Sequence, residues 1–171
     1  VNRIVTSPTF SISPGKWMAG SDGFRRTPQE QASFPEEIAG PKALVQVAVV
    51  YKGNEVTVYR NAEIYSHHTI TQPQTFGEGS VVVFGLRHLE AGDRACFAGE
   101  IDEARIYDVA MSEQQISSLQ RQRVSSPLPV AWWTFEDGSV ADHTGNFTDS
   151  LLIGNAHVID DLLTLDGKES F

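Results

Sequence analysis

Polar and apolar residues alternate most clearly in residues 97–107, Phe-Ala-Gly-Glu-Ile-Asp-Glu-Ala-Arg-Ile-Tyr. A period of two residues is typical of a β-strand, because successive side chains point to opposite faces. One face would carry Ile101, Glu103, Arg105 and Tyr107, and the other face Asp102, Ala104 and Ile106. The pattern therefore predicts one uninterrupted strand over this stretch.

The residues that follow this strand predict a short helix. Ser112 and Gln115 have the spacing of a capping box. Met111 and Ile116 stand at the two positions of a hydrophobic staple on either side of the helix start. We expect a helix of one or two turns that begins directly after Ser112.

Two further segments have the character of strands. Residues 45–51 and 55–60 flank Lys52-Gly53-Asn54, in which Gly and Asn can adopt a positive φ, so a β-hairpin is expected there. Residues 80–85 are apolar nearly throughout, which favours a strand buried on both faces.

The alternating stretch and the capped helix together resemble the last strand of the laminin-G-like, concanavalin A-type jelly roll, whose pattern is F-x-G-x-I-D-E-x-R-I-Y-x-x-A-L-S-x-x-x-I. Met111 stands where Leu is usual, which conserves volume. The hairpin resembles another segment of the family, with Arg60-Asn61-Ala62 where an Asp-Gly turn is typical. The resemblance implies an all-β fold, an antiparallel β-sandwich jelly roll of the concanavalin A-like type, with one short helix after the strand at residues 100–107.

The opening strands of the same family come last in this chain. Residues 131–145 and 162–167 resemble the start of a laminin-G-like domain, with Trp-Thr-Phe-Glu-Asp-Gly, Asp-His-Thr-Gly and Leu-Thr-Leu-Asp-Gly as the matching runs. We therefore expect a single sandwich over residues 1–171 that is circularly permuted: residues 1–119 form the closing part, 120–129 a polar linker and 130–171 the opening strands. The alternative is the end of one domain followed by the start of a second, which would leave unpaired strand edges.

The composition narrows the classes of partner. A chain of 171 residues suits one sandwich, and its net charge is −9 with a pI near 4.9. No basic stripe is present to displace counterions from phosphates, so we expect neither nucleic acid nor an anionic membrane surface as partner. The single Cys96 excludes an intrachain disulfide and a cysteine-based zinc site. No apolar stretch approaches the roughly 18 residues of a membrane span.

Catalysis is not expected from this chain itself, although glucanases share the fold that the resemblance implies. Those enzymes place two carboxylates on one strand face through an E-x-D-x-x-E motif, about 5 Å apart when they retain configuration. The run Glu100-Ile-Asp102-Glu103 has a different spacing, and Glu37 belongs to a predicted loop beside Pro35. A glycoside hydrolase is therefore the weakest of the functions considered.

The resemblance also implies a structural calcium ion, Ca2+, that bridges the first and last strands of the sandwich. The matching positions are Asp102 in the final-strand motif and Glu136 or Asp137 in the run Phe-Glu-Asp-Gly. Calcium prefers six to eight hard oxygen ligands, including backbone carbonyls, so this set is chemically adequate. The alternative is that Asp102 caps a turn or pairs with Arg105.

A glycan is the other ligand to consider, because exposed aromatic rings stack on sugar faces. Trp17 lies in a Gly-rich segment together with Arg25 and Arg26, and these three residues are the candidates for binding. Ordinary core packing is the alternative for each Trp. Trp132 and Trp133 are adjacent in a predicted strand, so one should face the core and the other should face outward or lie under a loop.

These observations predict a non-catalytic accessory module of a larger exported bacterial protein. Its role would be carbohydrate binding or the positioning of a carbohydrate-active enzyme, with a glycan and the neighbouring domains of a longer chain as partners. An extracellular or periplasmic location is implied by the resemblance alone. The alternative is a spacer or protein–protein interaction domain without a sugar site.

Overall fold

A computed structural model describes residues 9–10, 15–20, 32–40, 42–73, 75–77, 80–86, 96–148 and 150–171. Within these residues the chain forms strands that pair antiparallel and one short α-helix, α1 (Glu113–Ser117). The strands are β1 (Thr9–Phe10), β2 (Trp17–Met18), β3 (Val47–Lys52), β4 (Glu55–Arg60), β5 (Glu63–Thr69), β6 (Ala98–Ile101), β7 (Ala104–Ile106), β8 (Ala131–Trp133), β9 (His157–Ile159) and β10 (Leu162–Asp166). They are arranged as β1–β2, β3–β4–β5, β6–β10–β9 and β7–β8.

The predicted hairpin is confirmed as β3 and β4, joined by Gly53 and Asn54, with Gly53 at a φ of +60°. Its sheet is covered on both faces, because alternate residues of β3 belong to two different apolar clusters. One face packs around Trp17 and Ile70. The other packs against residues at and around α1, namely Tyr107, Met111 and Ile116. The capping box at Ser112 and Gln115 is confirmed, and it anchors α1 over this sheet.

The stretch 97–107 is not one uninterrupted strand, which corrects the sequence prediction. β6 ends at Ile101 and β7 begins at Ala104, because Asp102 and Glu103 direct their carboxylates to residues 121 and 122 and the chain changes its pairing partner. The interruption shifts the alternation, so Ile101 joins Ala104 and Ile106 in one cluster. Tyr107 lies in another cluster and does not share a face with Ile101.

Residues 80–85 do not form the expected buried strand. Val82 and Phe84 pack against the core, but Val81 is exposed, and the pairing nearby is a single bridge between Leu86 and Cys96. An apolar run can thus line the core in an irregular conformation, because burial requires contact with the core but does not require a ladder of strand pairs.

The opening strands, here β8 and β10, lie directly beside β6 and β7, which we call the closing strands. β8 pairs with β7, and β10 pairs with β6, so the last part of the chain completes ladders begun earlier. The cluster between them is shared by both parts of the chain: Ile101, Ala104 and Ile106 from the closing part, and Ala131, Trp133, Phe135, Ala156, Leu163 and Leu165 from residues 130–171. The permuted single domain stays a prediction, and this shared cluster is the observation that bears on it.

The fold class is confirmed as an all-β, antiparallel β-sandwich with one short helix after the closing strands. Trp133 faces the core while Trp132 lies half-buried on the opposite face, as expected for neighbours in a strand. In the part of the chain that the structure describes, no helix is both long and apolar enough to span a bilayer.

Candidate functional site

Asp102, the first residue predicted to bind calcium, is 7% exposed and lies in the interruption between β6 and β7. Its Oδ1 is 2.5 Å from Nη2 of Arg121, so its cation partner is a side chain of the same chain. Arg105, the partner considered from the sequence, pairs instead with Glu103, whose Oε1 lies 2.6 Å from the Arg105 Nε.

Glu136 and Asp137, the other predicted calcium ligands, lie in an exposed 3₁₀ turn after β8. The backbone N–H of Asp137 donates to Asp161 Oδ1 at 3.0 Å, which ties this turn to the β9–β10 turn. Among the described residues, no group of three or more His, Cys, Asp or Glu side chains is arranged to hold a metal ion. Calcium also accepts backbone carbonyl oxygens as ligands, and the calcium ion stays a prediction.

Trp17, the aromatic candidate for a sugar platform, is 8% exposed and packs in the cluster beneath β3 and β4. Its indole N–H donates to Glu37 Oε2 at 2.6 Å, so the ring helps to hold the loop around Glu37. This position matches the alternative of core packing, and little of the ring is left for a ligand. Arg25 and Arg26 lie outside the described residues.

The motif from Asp102 to Tyr107 binds the segment that was predicted to be a linker. We call residues 120–125 the strap. Arg105 Nη2 donates to Gln120 O at 3.0 Å, and the N–H of Gln122 donates to Glu103 Oε2 at 2.6 Å. The remaining two contacts are Asp102 with Arg121 and Tyr107 Oη with Ser125 Oγ at 2.8 Å. The strap therefore connects α1 to β8 while held along the closing strands.

Arg105 is the centre of a polar layer under the strap. Its guanidinium lies 4.6 Å from the ring centroid of Trp132, a cation–π contact between β7 and β8. Burial alone would lower the pKa of Arg105, but Glu103 and Tyr107 outweigh it and the pKa is raised. The arginine is thus a permanent structural charge, and Trp132 is committed to covering it.

A shallow groove of about 300 Å³ opens on the other side of β7 and β8. Its apolar part is formed by Ile106, Val130 and the half-buried ring of Phe147. Exposed Asp108 and Asn146 supply its polar rim. Phe147 is held by the core, because its ring centroid is 5.5 Å from that of Trp133. The groove therefore combines an apolar floor with a carboxylate and an amide.

The loop that carries Asn146 and Phe147 is built around the buried carboxylate of Asp142. Oδ1 accepts the N–H groups of Trp132 and Thr144 at 2.7 and 3.0 Å. Oδ2 accepts the Thr144 hydroxyl and the N–H groups of Asn146 and Phe147 at 2.7, 3.0 and 3.1 Å. Burial would raise the pKa of Asp142, but these donors hold it below its usual value.

Bonds to the carbonyl oxygen of Val130 fix this loop against β8. Asn146 Nδ2 donates to this oxygen at 2.9 Å, and the Thr144 hydroxyl, also at 2.9 Å, shares its one proton between this oxygen and Asp142 Oδ2. The wall of the groove is therefore organised before any ligand arrives, which reduces the entropy lost on binding.

The sequence analysis did not select Asp108, Asp142, Asn146 or Phe147 as site residues. The run Asp142-His-Thr-Gly was visible as part of the resemblance to the opening strands, and an Asp two residues before Thr is typical of a carboxylate that caps its own loop. Asp108 and Phe147 gave no such indication, since they are distant in sequence and line the same groove only because β7 pairs with β8.

A family model described as the concanavalin A-like lectin/glucanases superfamily matches residues 10–117, which is more than half of the chain. The matched region contains the β3–β4 hairpin, the closing strands and α1. No curated protein and no solved structure matches the chain.

Proposed function

We propose, from the premise that this chain belongs to the concanavalin A-like lectin/glucanase superfamily, that it is a non-catalytic module that binds a carbohydrate. The binding site would be the groove between Asp108 and Asn146. Superfamily membership by itself does not establish a ligand, because one fold serves many functions. The observation that carries the proposal is the groove and its preorganised loop.

The chemistry of the groove suits a sugar ring. A sugar has one apolar face of C–H groups and a rim of hydroxyls, so it requires an apolar surface beside hydrogen-bonding groups. Phe147 and Val130 offer the surface, and the carboxylate of Asp108 can accept two hydroxyl protons. Its volume of about 300 Å³ lies at the small end of ligand sites, which favours a short saccharide or the end of a chain.

A non-catalytic role is supported by the structural contacts of four carboxylates that lie largely out of solvent. Glu37, Glu103 and Asp102 each form an ion pair with an arginine, and Asp142 accepts backbone donors. Each is committed to the structure of the fold. In this proposal the chain is an accessory part of a longer exported protein, where it would hold a neighbouring catalytic domain near its substrate.

The test is a calorimetric titration of the purified chain with soluble neutral oligosaccharides, followed by the same titration of Asp108→Ala. Hydrogen bonds to a charged group contribute about 1.5–3 kcal/mol, so the variant should bind the active sugar at least about tenfold more weakly. Glu55→Ala is the matched control, because Glu55 is an exposed carboxylate at the start of β4. It should bind as the unmodified chain does.

The outcomes separate this proposal from the second candidate, a spacer or protein-interaction domain. That candidate is favoured by the burial of Trp17 and Trp133 and by the contact of Trp132 with Arg105, which leave no exposed Trp among the described residues. A chain that melts cooperatively yet binds no sugar of the panel would support the spacer. Unchanged binding in Asp108→Ala would place the sugar elsewhere.

A further inference from the structure

We propose that the guanidinium of Arg121 is the built-in cation of Asp102 and takes the place that the family resemblance assigns to a calcium ion. The ion pair would fasten the strap to the closing strands without any metal. This inference is independent of the carbohydrate groove, since the groove residues make no contact that it relies on.

The first argument is the burial of Asp102. A carboxylate that is 7% exposed has lost most of its hydration and needs a positive partner or several donors. The Oδ1–Nη2 distance of 2.5 Å to Arg121 supplies that partner directly. Arg121 itself is 53% exposed on its side chain, so the arginine keeps part of its hydration while it neutralises the buried group.

The second argument is that Arg121 is held in place from both sides along the chain. The carbonyl of Gln120 accepts a hydrogen bond from Arg105, and the N–H of Gln122 donates to Glu103. Gln122 adopts a φ of +54°, which bends the strap at this point. An ordinary surface ion pair loses much of its value to side-chain entropy. Here the backbone on each side of Arg121 is fixed, so less entropy is lost.

The third argument concerns the oxygen ligands that a calcium ion would need. Calcium requires six to eight hard oxygens, whereas the described residues contain no group of three acidic or metal-ligating side chains. The carboxylate oxygen Oδ1 of Asp161 already accepts the Asp137 N–H, and Asp102 faces a positive charge. A divalent cation would be repelled by the guanidinium of Arg121 and would have to displace it. In return it would gain a single carboxylate ligand, that of Asp102.

The consequence is a cross-link that does not depend on the supply of calcium. Arginine stays charged at all accessible pH values, so its charge cannot be removed by deprotonation or by a chelator. The chain should keep its fold equally well in calcium-poor and calcium-rich surroundings.

The experiment compares thermal melts of the full chain and three variants, each in excess Ca²⁺ and in excess EGTA. We expect the unmodified chain to melt within about 1 °C in the two conditions, because Arg121 already neutralises Asp102 and a calcium ion would then bind the folded chain too weakly to stabilise it. Arg121→Gln leaves the carboxylate of Asp102 buried without its partner and should melt about 4–10 °C lower. Arg121→Lys keeps the charge but loses the planar fork, so it should recover part of the loss.

Arg123→Gln is the matched control, because Arg123 is an exposed arginine two positions further along and no ion pair joins it to a described carboxylate. It should melt within about 2 °C of the unmodified chain. A calcium-dependent rise in the melting temperature of the unmodified chain would overturn the proposal. So would equal melting of the Arg121→Gln and Arg123→Gln variants. If Arg121→Gln does not fold, the chelator result and the lysine variant still decide the question.

Discussion

Carboxylates that accept several hydrogen bonds organise the loops of this protein. Glu37, Asp142 and Asp166 each receive donors from residues that lie close to them in the chain or on a neighbouring element. Ser170, Asn155 and nearby N–H groups hold the pKa of Asp166 well below its usual value. The hydrogen bonds to each of these groups favour its charged form, so the stability of the loops depends on charge as well as on shape.

Asp142→Asn should lower the free energy of unfolding by about 2–4 kcal/mol. An amide replaces one acceptor oxygen by a donor, so it leaves N–H or O–H groups from Trp132, Thr144, Asn146 or Phe147 without their acceptor. Urea unfolding at neutral pH measures the change. Asp160→Asn is the control, since Asp160 is exposed in a turn at a φ of +52° that Asn tolerates. Similar loss in both variants would contradict the role of Asp142.

Glu37 makes the stability of the protein fall as the solution becomes acidic. Its hydrogen bonds from Arg60, which outweigh the opposing effect of burial, lower its pKa from 4.5 to about 2. The pKa of Glu37 is lower in the folded state than in the unfolded state. Its contribution to the free energy of unfolding is therefore fully present above about pH 4.5 and is lost as the pH falls through about 2. We expect this contribution to be about 1–3 kcal/mol.

The measurement is urea unfolding of the chain and of Glu37→Gln at about pH 6, 4 and 2.5. The variant should be less stable at the highest pH, and the difference between the two proteins should shrink as the pH falls. A difference that stays constant across this window would mean that Glu37 acts through packing alone.

At the scale of elements, two hairpins have turns of the same kind. Each turn consists of two residues, and both residues have a positive φ. Asn61 and Ala62 join β4 to β5 with φ values of +50° and +66°, and Asp160 and Asp161 join β9 to β10 with +52° and +62°. Such turns match the twist of the strands but favour Gly, Asn or Asp. Ala62 is the unfavourable residue among the four, because its Cβ crowds the backbone in this conformation.

Ala62→Gly should therefore stabilise the chain by about 0.5–1 kcal/mol, since the relief of strain exceeds the extra entropy of Gly in the unfolded state. The midpoint of urea unfolding reports this gain. Ala141→Gly is the control, because Ala141 is exposed and does not have a positive φ. That substitution should be neutral or slightly destabilising. A loss of stability in Ala62→Gly would show that the contact of Ala62 with the cluster around Tyr107 matters more than its strain.

At the scale of the whole molecule, the central question is whether the closing part and the opening strands unfold together. The pairing of β6 with β10 and of β7 with β8 creates one cluster with contributions from both. The strap between them is fastened along its length to the closing strands. Both features favour one cooperative unit, in agreement with a permuted domain.

Native-state hydrogen exchange tests this expectation. The slowest amides of β10 should exchange with the same free energy of opening as those of β3 and β4, because the unit unfolds as a whole. A chain cut after residue 129 should lose the cooperative transition, since six of the nine buried residues of the shared cluster would be absent. A clearly lower opening free energy for β8 and β10 would indicate two partial domains that merely associate.

The sequence by itself determined the local elements of this protein. The hairpin of β3 and β4 follows from two apolar runs around Gly53, and α1 follows from the capping box at Ser112 and Gln115. These features depend on residues a few positions apart, so their physical causes are contained in a short stretch of chain. The resemblance of residues 97–119 was likewise local, and it led correctly to the fold class.

Only the tertiary structure decided where the charged residues find their partners. Asp102 was expected to bind calcium or Arg105, and it pairs with Arg121, because the strap returns over the closing strands. The groove around Asp108 and Phe147 exists because β7 and β8 are paired. Such contacts join residues distant in sequence. They depend on how whole elements pack, and no period or spacing in the chain encodes that arrangement.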